Sequence, residues 1–580
     1  MNRHLFLFTI GPVQSFIEQA RKTQDLYAGS FLLSHLINST MEKLKQSNNC
    51  EFIFPHETLE SKPNRFIAII ESNDIANIGN ELKEHITEEF QLINSNILNN
   101  LKLNAPNGFK SQIETHFQVN WTAIPLDMDN YADTYKNIES HLGAIKNVRN
   151  FVQLEEIGRK CSLCGEKNVL FYHGKKRAYT TPYAKPLNKP IHMHDGEGLC
   201  TICFTKRFAY EHFKNKYKKY PSTAEIALMD LLDNLNKYSE LSKLLNDYKN
   251  IFHNNFDEQL FYEDNLTEKY FKKYNYSNKN LKEIKEKLKK IYEKAKEKDL
   301  KFYKYYAIIM LDGDDMGKWL SGEFLEDKTK LKDFHKKLAE ELGKYVKYIN
   351  NEIITKPKGK LVYAGGDDVF AFINLNHLLP IIKELRIKFP KFEELGFKIK
   401  DNKKSSASIG VAIAHYKTPL PETLKWARNM EDEAKSIDSN KDAVAIAVLK
   451  HSGEIRKTVF KFQYNLHSII EILDELIMSL KQDKLTKQNK FSNTFIKNLS
   501  IEFRPIMDEK KIHENNSLIK TEMNRLIGKS CMLSKKSDGT KNEINNLTEK
   551  LYILYANSKS FDNFLFALDI VDFMKREGIQ

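Results

Sequence analysis

The feature that most constrains this chain is an element order that its apolar runs spell out twice. His4–Ile10 (HLFLFTI) reads as a buried strand, Gly11-Pro12 breaks it, and Val13–Leu44 has helical periodicity. Glu51–Phe54 and Arg65–Ile70 are strand-like, Ile75–Ile97 is helical, and Phe117–Leu126 is a fourth strand. The pattern returns past residue 300. Tyr306–Leu311 is a buried strand, and the helix after it sets Leu331, Phe334, Leu338, Leu342 and Ile349 on one face. Leu361–Tyr363 and Val369–Ile373 flank a hairpin tip, and Leu375–Lys388 is a helix. Ser405–Ala414, Pro421–Ile437 and Ala443–Leu449 follow as strand, helix and strand. The order βαββαβ belongs to a ferredoxin-like sandwich. The spacing therefore predicts an α/β (α+β) protein with such units at 1–126 and 301–454, a helical insert at 127–300 and a helical bundle at 455–580.

Length and composition narrow the class. At 580 residues the chain exceeds what one core of ~250–300 residues holds. No stretch reaches the ~20 apolar residues of a membrane span, and Leu5–Ile10 is too short for a signal-peptide core. A cytoplasmic location is expected. The formal charge of +13 fits a polyanionic partner, but also a lysine-rich proteome. The lysine-rich stretch Asn278–Leu300 puts Leu281, Ile284, Leu288, Ile291 and Ala295 on one helical face. It is expected to be a solvated amphipathic helix, with an RNA-binding stripe as the alternative. The apolar stripe Leu466, Ile469, Leu473, Leu476, Leu480 predicts core packing in the bundle.

Two acidic clusters in the second α/β unit carry the chemistry. Leu311-Asp312-Gly313-Asp314-Asp315 lies at a strand end, and Gly365-Gly366-Asp367-Asp368 lies at the hairpin tip. In a ferredoxin-like sheet these neighbour one another, so Asp312, Asp367 and Asp368 are expected to converge as catalytic metal ligands. Converging carboxylates repel, and a divalent cation such as Mg²⁺ or Mn²⁺ relieves the repulsion while leaving room for phosphates. Two such ions suit an in-line phosphoryl displacement. Gly365 and Gly366 permit a sharp turn and close nucleotide approach. Gly313 and Gly317 are expected to leave backbone N–H groups for phosphate, and Lys435 to meet a triphosphate. Asp314 and Asp315 are secondary candidates, as a nucleotide contact, a cap or a backbone contributor.

At these residues the chain resembles the large polymerase–cyclase subunit of type III CRISPR effector complexes, in the Cmr-type (III-B) branch. Its marks are Gly11-Pro12-Val13-Gln14, Asp25–Ser34 (DLYAGSFLLS), Pro63-Asn64-Arg65-Phe66, the cysteine pairs, Pro221-Ser222-Thr223, Leu311–Lys318, Tyr363–Phe370 and Ser408–Tyr416. The resemblance implies two palm domains with the Gly-Gly-Asp-Asp site in the second only. It also implies ATP as substrate, joined 3′–5′ into cyclic oligoadenylate second messengers when target RNA is bound. The implied partners are other Cmr-type subunits, guide RNA and target RNA. Many such subunits begin with an HD-type nuclease domain. This chain opens at the first palm's strand, and its one His-Asp dipeptide, His194-Asp195, sits between the cysteine pairs, so no nuclease activity is expected. Related subunits without that domain leave the adenylyl acceptor open, S-adenosylmethionine included. A non-catalytic scaffold is the reading from another class.

Cys161-x-x-Cys164 and Cys200-x-x-Cys203 have the spacing of a structural Zn²⁺ site, with His173, His192 and His194 as substitutes in the loop. Cys50 and Cys531 are read as ordinary thiols. Gln14 and Ser15, at a strand-to-helix turn, either line a second nucleotide pocket facing the other palm or belong to a packing turn. Arg65, with Asn64, either contacts RNA or a subunit, or forms a structural ion pair.

Overall fold

The computed structural model describes residues 2–148, 156–187, 193–214, 219–274, 276, 280–481, 491, 495–504, 516–532 and 538–578. The first sheet has the antiparallel order β2-β3-β1-β4, from β1 (Arg3–Gly11), β2 (Cys50–Phe54), β3 (Arg65–Glu71) and β4 (Gln118–Pro125). This is the ferredoxin-like arrangement. Phe6, Phe8 and Ile10 face α2 (Thr23–Ser47) and α3 (Ile75–Leu101), while Leu5 and Leu7 face α5 (Tyr131–Asn147). Burial on both faces explains why β1 reads as a continuous apolar run rather than an alternation. Trp121 of β4 packs so close to α3 that a Cβ at Gly79 would lie 2.3 Å from its ring.

The helix expected over Val13–Leu44 is two helices, α1 (Gln14–Glu18) and α2. The reason is tertiary. Lys206 Nζ takes the carbonyls of Phe16 and Gln19, both at 2.6 Å, so the chain stops at a filled C-terminus. Asp25 then accepts the Lys22 N–H and opens α2.

Residues 127–300 feed four packing clusters, with Tyr220, Ile226 and Met229 joining the core under the second sheet. α5 joins the seam between the two palms. The cysteine segment forms the small sheet β6-β5-β7, from β5 (Phe171–Tyr172), β6 (Lys185–Pro186) and β7 (Gly198–Leu199), followed by α6 (Thr201–Phe213). Phe204 and Phe208 of α6 belong to the first palm's core. A buried Arg207 locks it there, bonding Asp25 at 2.5 and 2.7 Å and Glu197 at 3.2 Å. A separate core holds α7 (Thr223–Asn236), α8 (Ser239–Asn250), α9 (Glu268–Lys273) and α10 (Leu281–Lys296). In α10, Ile284, Leu288, Ile291 and Ala295 are buried and Leu281 half-buried, as the periodicity predicts; Asn278 and Lys279 lie outside the described residues.

The second sheet is larger, in the order β13-β12-β11-β8-β10-β9. Its strands are β8 (Tyr305–Gly313), β9 (Gly359–Ala364), β10 (Val369–Asn374), β11 (Ala407–His415), β12 (Ala443–Leu449) and β13 (Ile455–Lys461). Only β11 and β12 run parallel. One face carries α12 (Leu331–Tyr348) and α13 (Leu378–Lys388), the other α14 (Leu420–Lys435). α14 lies against β11 backbone to backbone, since a Cβ at Gly410 would fall 2.1 Å from the Glu431 nitrogen. The sheet runs past residue 454, where the helical segment was expected to start. β13 bonds back through Thr458 and Val459 to Asn563 of α19 (Phe561–Glu577). In the bundle, α15 (Ile469–Leu480) buries Ile469, Leu473, Leu476 and Leu480, but Leu466 is 93% exposed at a hairpin turn before the helix starts.

Candidate active site

The acidic residues meet. β8 and β10 pair antiparallel with Leu311 opposite Val369, which puts Asp312 across from Asp368 one step beyond the pairing. The tip is closed by the Gly365 N–H donating to the Asp368 carbonyl at 3.1 Å. Gly366 has φ +118°, a conformation that favours glycine. A Cβ at Gly365 would lie 1.5 Å from the Tyr363 hydroxyl, and one at Gly313 would lie 3.0 Å from Asp367 Cβ. Both glycines thus let the strand end and the tip close on each other. One carboxylate oxygen from each of Asp312, Asp367 and Asp368 falls within a group spanning 4.8 Å. Asp312 and Asp367 are half-buried and Asp368 reaches solvent.

The electrostatics are those of a cation site. Burial, then the charge of Asp312, push Asp367 up to about 6. Burial, the charge of Asp367 and a hydrogen bond with Asp312 push Asp368 well above the carboxylate range. Burial also works against Asp312, but that hydrogen bond and the Lys435 ammonium outweigh it and hold it low. Lys435 Nζ lies 2.5 Å from Asp312 and 2.7 Å from Glu431. Lys435 therefore stands at the site, neutralising a carboxylate. Glu431, one helical turn before it, is legible only as an i,i+4 partner.

Asp314 is a correction. Its carboxylate is 3% exposed and accepts from Ser406 at 2.7 Å, Ser408 at 2.9 Å and the Asp442 N–H at 3.1 Å. It ties β8, β11 and β12 together and does not join the tip, because the strand ends at Gly313 and these three donors from the β11 and β12 side hold the carboxylate. Its own N–H is taken by the Ser406 carbonyl at 2.8 Å. Asp315 is held by Lys441 at 2.9 Å and Lys403 at 3.4 Å.

A cleft of about 190 Å³ opens beside the tip, between the palms. Asp367, Asp368, Gly365 and Tyr363 line it from the second palm, Asn64 and Arg65 from the first. Arg65 pairs with Glu139 of α5, and Tyr135 donates to the same carboxylate at 2.9 Å. Gln14 and Ser15 are exposed on α1 and do not line this cleft. α1 does meet the second palm, at α14, through the ion pair Glu18–Arg428.

The four cysteine sulfurs also lie within 4.8 Å of one another, with Cys164 and Cys200 Sγ 3.7 Å apart. Tetrahedral Zn–S bonds of ~2.3 Å place sulfurs ~3.8 Å apart, so the set fits that ion. The Cys161 and Cys200 sulfurs accept the Leu163 and Cys203 N–H groups, each at 3.4 Å. Neither His173, bonded to the Leu187 carbonyl, nor His194, stacked edge-on to Tyr274, belongs to the cluster; His192 lies outside the described residues.

Fold and site together define a double-palm protein in which, among the described residues, a converging carboxylate cluster stands in the second palm. Comparisons show what that class resembles. Residues 5–124 match the family model "CRISPR-associated protein Cmr2, N-terminal", and residues 305–445 match "Cas10/Cmr2, second palm domain". The chain is 26% identical to the CRISPR system Cmr subunit Cmr2 of Pyrococcus furiosus, over 77% of this chain and 62% of that protein. It thus spans about three fifths of that relative's length. A type III-B Cmr-beta complex in its apo state contains a chain of the same fold, at TM-score 0.66 and 15% identity, covering 98% of this chain and 81% of that one. The Cmr-beta complex bound to cognate target RNA gives TM-score 0.66 at 14% identity, with coverages of 99% and 83%. The chain is thus similar to Cmr2 proteins of type III-B CRISPR systems over both of its α/β units.

Proposed function

We propose that this chain is the nucleotidyltransferase of a CRISPR RNA-guided complex, joining ATP units into a cyclic oligoadenylate messenger when target RNA is bound. The observation that carries the reading is the Asp312–Asp367–Asp368 cluster at the mouth of a cleft that both palms line. In the reaction a ribose 3′-oxygen attacks an α-phosphorus, the bond to the β-phosphate breaks, pyrophosphate leaves and the hydroxyl proton passes to solvent. Mg²⁺ or Mn²⁺ at the three carboxylates would supply the charge that activates the hydroxyl and stabilises the departing pyrophosphate. The chain's own part is positional. The Gly365-Gly366 backbone gives the nucleotide close approach, and Lys435 brings a cation to the phosphates once its carboxylate partner is engaged elsewhere. Asn64 and Arg65 bound the cleft on the side from which a second reactant enters. Asp314 keeps β8 in register behind the site. The related Cmr complexes support the remaining partners, namely other Cmr-type subunits, guide RNA and target RNA.

The test supplies the assembled complex with labelled ATP and Mg²⁺ or Mn²⁺, with and without target RNA and S-adenosylmethionine. An adenylate ring made only with target RNA supports the proposal. A product that requires S-adenosylmethionine reassigns the acceptor. Equal product from Asp367→Ala/Asp368→Ala overturns the site.

A further inference from the structure

The cysteine knuckle presents a surface that neither the acidic site nor zinc binding uses. Residues 174–179 (GKKRAY) are all exposed, and so are Tyr183 and Lys185 a few residues on. Among the described residues, Lys175, Lys176, Arg177 and Lys185 have no carboxylate within ion-pair distance. The lysine-rich helix α10 differs. There Lys287 meets Glu283 at 3.0 Å and Lys294 meets Glu240 and Glu297 at 3.4 Å, and its one tyrosine, Tyr292, is half-buried with its hydroxyl on the Phe261 carbonyl, so no exposed ring stands among its lysines.

The knuckle also sets like charges side by side. Arg159 and Arg177 flank Gly196, with Arg159 donating to the Gly196 carbonyl at 2.7 Å, and the two guanidiniums repel. Beside them Tyr179 is 87% exposed and held at φ +64°, a left-handed conformation that a tyrosine rarely adopts. The loop that holds it is folded. The Arg159 N–H donates to the Tyr179 carbonyl at 2.6 Å, Thr180 N–H to the Arg177 carbonyl at 3.2 Å, and Thr181 Oγ1 to the Val169 carbonyl at 3.1 Å. A solvent-facing ring thus projects from a hydrogen-bonded loop among cations that no carboxylate pairs.

Unpaired cations interleaved with exposed aromatic rings suit a polyanion that also offers flat faces for stacking. An acidic protein surface would use the cations but would not need the projecting ring. We propose that this face of the knuckle, carrying Lys175, Lys176, Arg177, Tyr179 and Tyr183, binds single-stranded RNA, with the cations on phosphates and Tyr179 stacked on a base. The inference stands apart from the nucleotidyl-transfer reading, since none of these residues touches the acidic cleft.

Fluorescence anisotropy of the full chain with a labelled, uridine-rich 20-nucleotide single strand tests it across a salt series. The triple variant Lys175→Ala/Lys176→Ala/Arg177→Ala is expected to bind at least ~10-fold more weakly. Its slope of log affinity against log salt should fall by about two, at ~0.7 for each phosphate the variant no longer neutralises. Tyr179→Ala should cost ~10-fold and Tyr179→Phe less than ~2-fold, because the ring and not the hydroxyl stacks. One equivalent of zinc and an unchanged Tm certify each variant's knuckle; if the triple variant loses zinc, the Tyr179 pair decides alone. Wild-type affinity and slope in the folded variants overturn the proposal. So does a triple variant that keeps its RNA affinity and loses only binding to poly-glutamate, which would make the face a protein-docking surface. Asp367→Ala/Asp368→Ala should bind RNA as the wild type does, so failure at the acidic site leaves this result standing.

Discussion

The two palms share the order of four strands and differ in the side chains one step beyond the pairing of the inner two. In the first, β1 and β3 pair up to Thr9 opposite Arg65, and the residues one step beyond are Ile10 and Asn64. In the second, β8 and β10 pair up to Leu311 opposite Val369, and the residues one step beyond are Asp312 and Asp368. The first pair is an apolar side chain and an amide, joined through the Ile10 N–H and the Asn64 carbonyl at 3.0 Å, and it holds no charge needing relief. The second is two carboxylates with Asp367 alongside. The fold therefore supplies a place where a strand end meets a hairpin tip, and two or three side chains decide whether that place does chemistry. The connections differ as well. The second palm turns in the four residues 365–368, whereas the first needs residues 55–64, which leaves Asn64 and Arg65 at the cleft as a wall.

The difference between the palms should show most visibly at the carboxylates. Asp367→Ala/Asp368→Ala should lower ATP-derived product on the order of 10³-fold, read by chromatography of labelled nucleotides, with the fold retained by circular dichroism. The reverse graft, Ile10→Asp, should create no second site. Ile10 is 1% exposed, and a lone buried carboxylate costs about 3–5 kcal/mol, measured as a fall in the denaturant midpoint.

The seam between the palms should respond to acid. His335 of α12 is 3% exposed, its Nε2 bonded to the Leu320 carbonyl at 2.7 Å and its Nδ1 to the Tyr131 hydroxyl of α5 at 3.1 Å. Burial pulls it down to about 4. The unfolded chain then takes up the proton near pH 6.5 and the folded chain only near 4, so stability falls as pH drops through that window. About 2–3 kcal/mol of that acid loss should vanish in His335→Gln, seen as a flatter plot of unfolding free energy against pH.

The smallest effect concerns repulsion at the tip. In chelator, Asp367→Asn should stabilise the protein by about 1 kcal/mol, a modest figure because the group keeps contact with solvent. Millimolar Mg²⁺ should raise the wild-type Tm and leave this variant's unmoved. A wild-type Tm indifferent to Mg²⁺ would remove the cation from the account.

Much of this was legible in residue order. Both βαββαβ units, the hairpin tip and the convergence of Asp312 with Asp367 and Asp368 follow from strand periodicity and one known topology. The cysteine spacing announced its cluster in the same way. Other features were hidden because their causes lie far away in sequence. The break between α1 and α2 depends on Lys206, some 190 positions on. Asp314, a secondary candidate for a nucleotide contact, is made a strut by Ser406 and Ser408, ninety residues later. Leu466 continued an apolar stripe in sequence, yet sits in a turn before the helix begins.

Local pattern by itself determined which segments are strands or helices and which residue types stand at their ends, since backbone periodicity and turn chemistry act over a few residues. Tertiary structure alone decided that Asp314 is drawn to Ser406 and Ser408, that Lys435 stands on Asp312, and that Asn64 and Arg65 of the first palm wall the cleft. Those outcomes depend on which distant atoms satisfy a buried charge or carbonyl, and only the packed chain brings such atoms within reach.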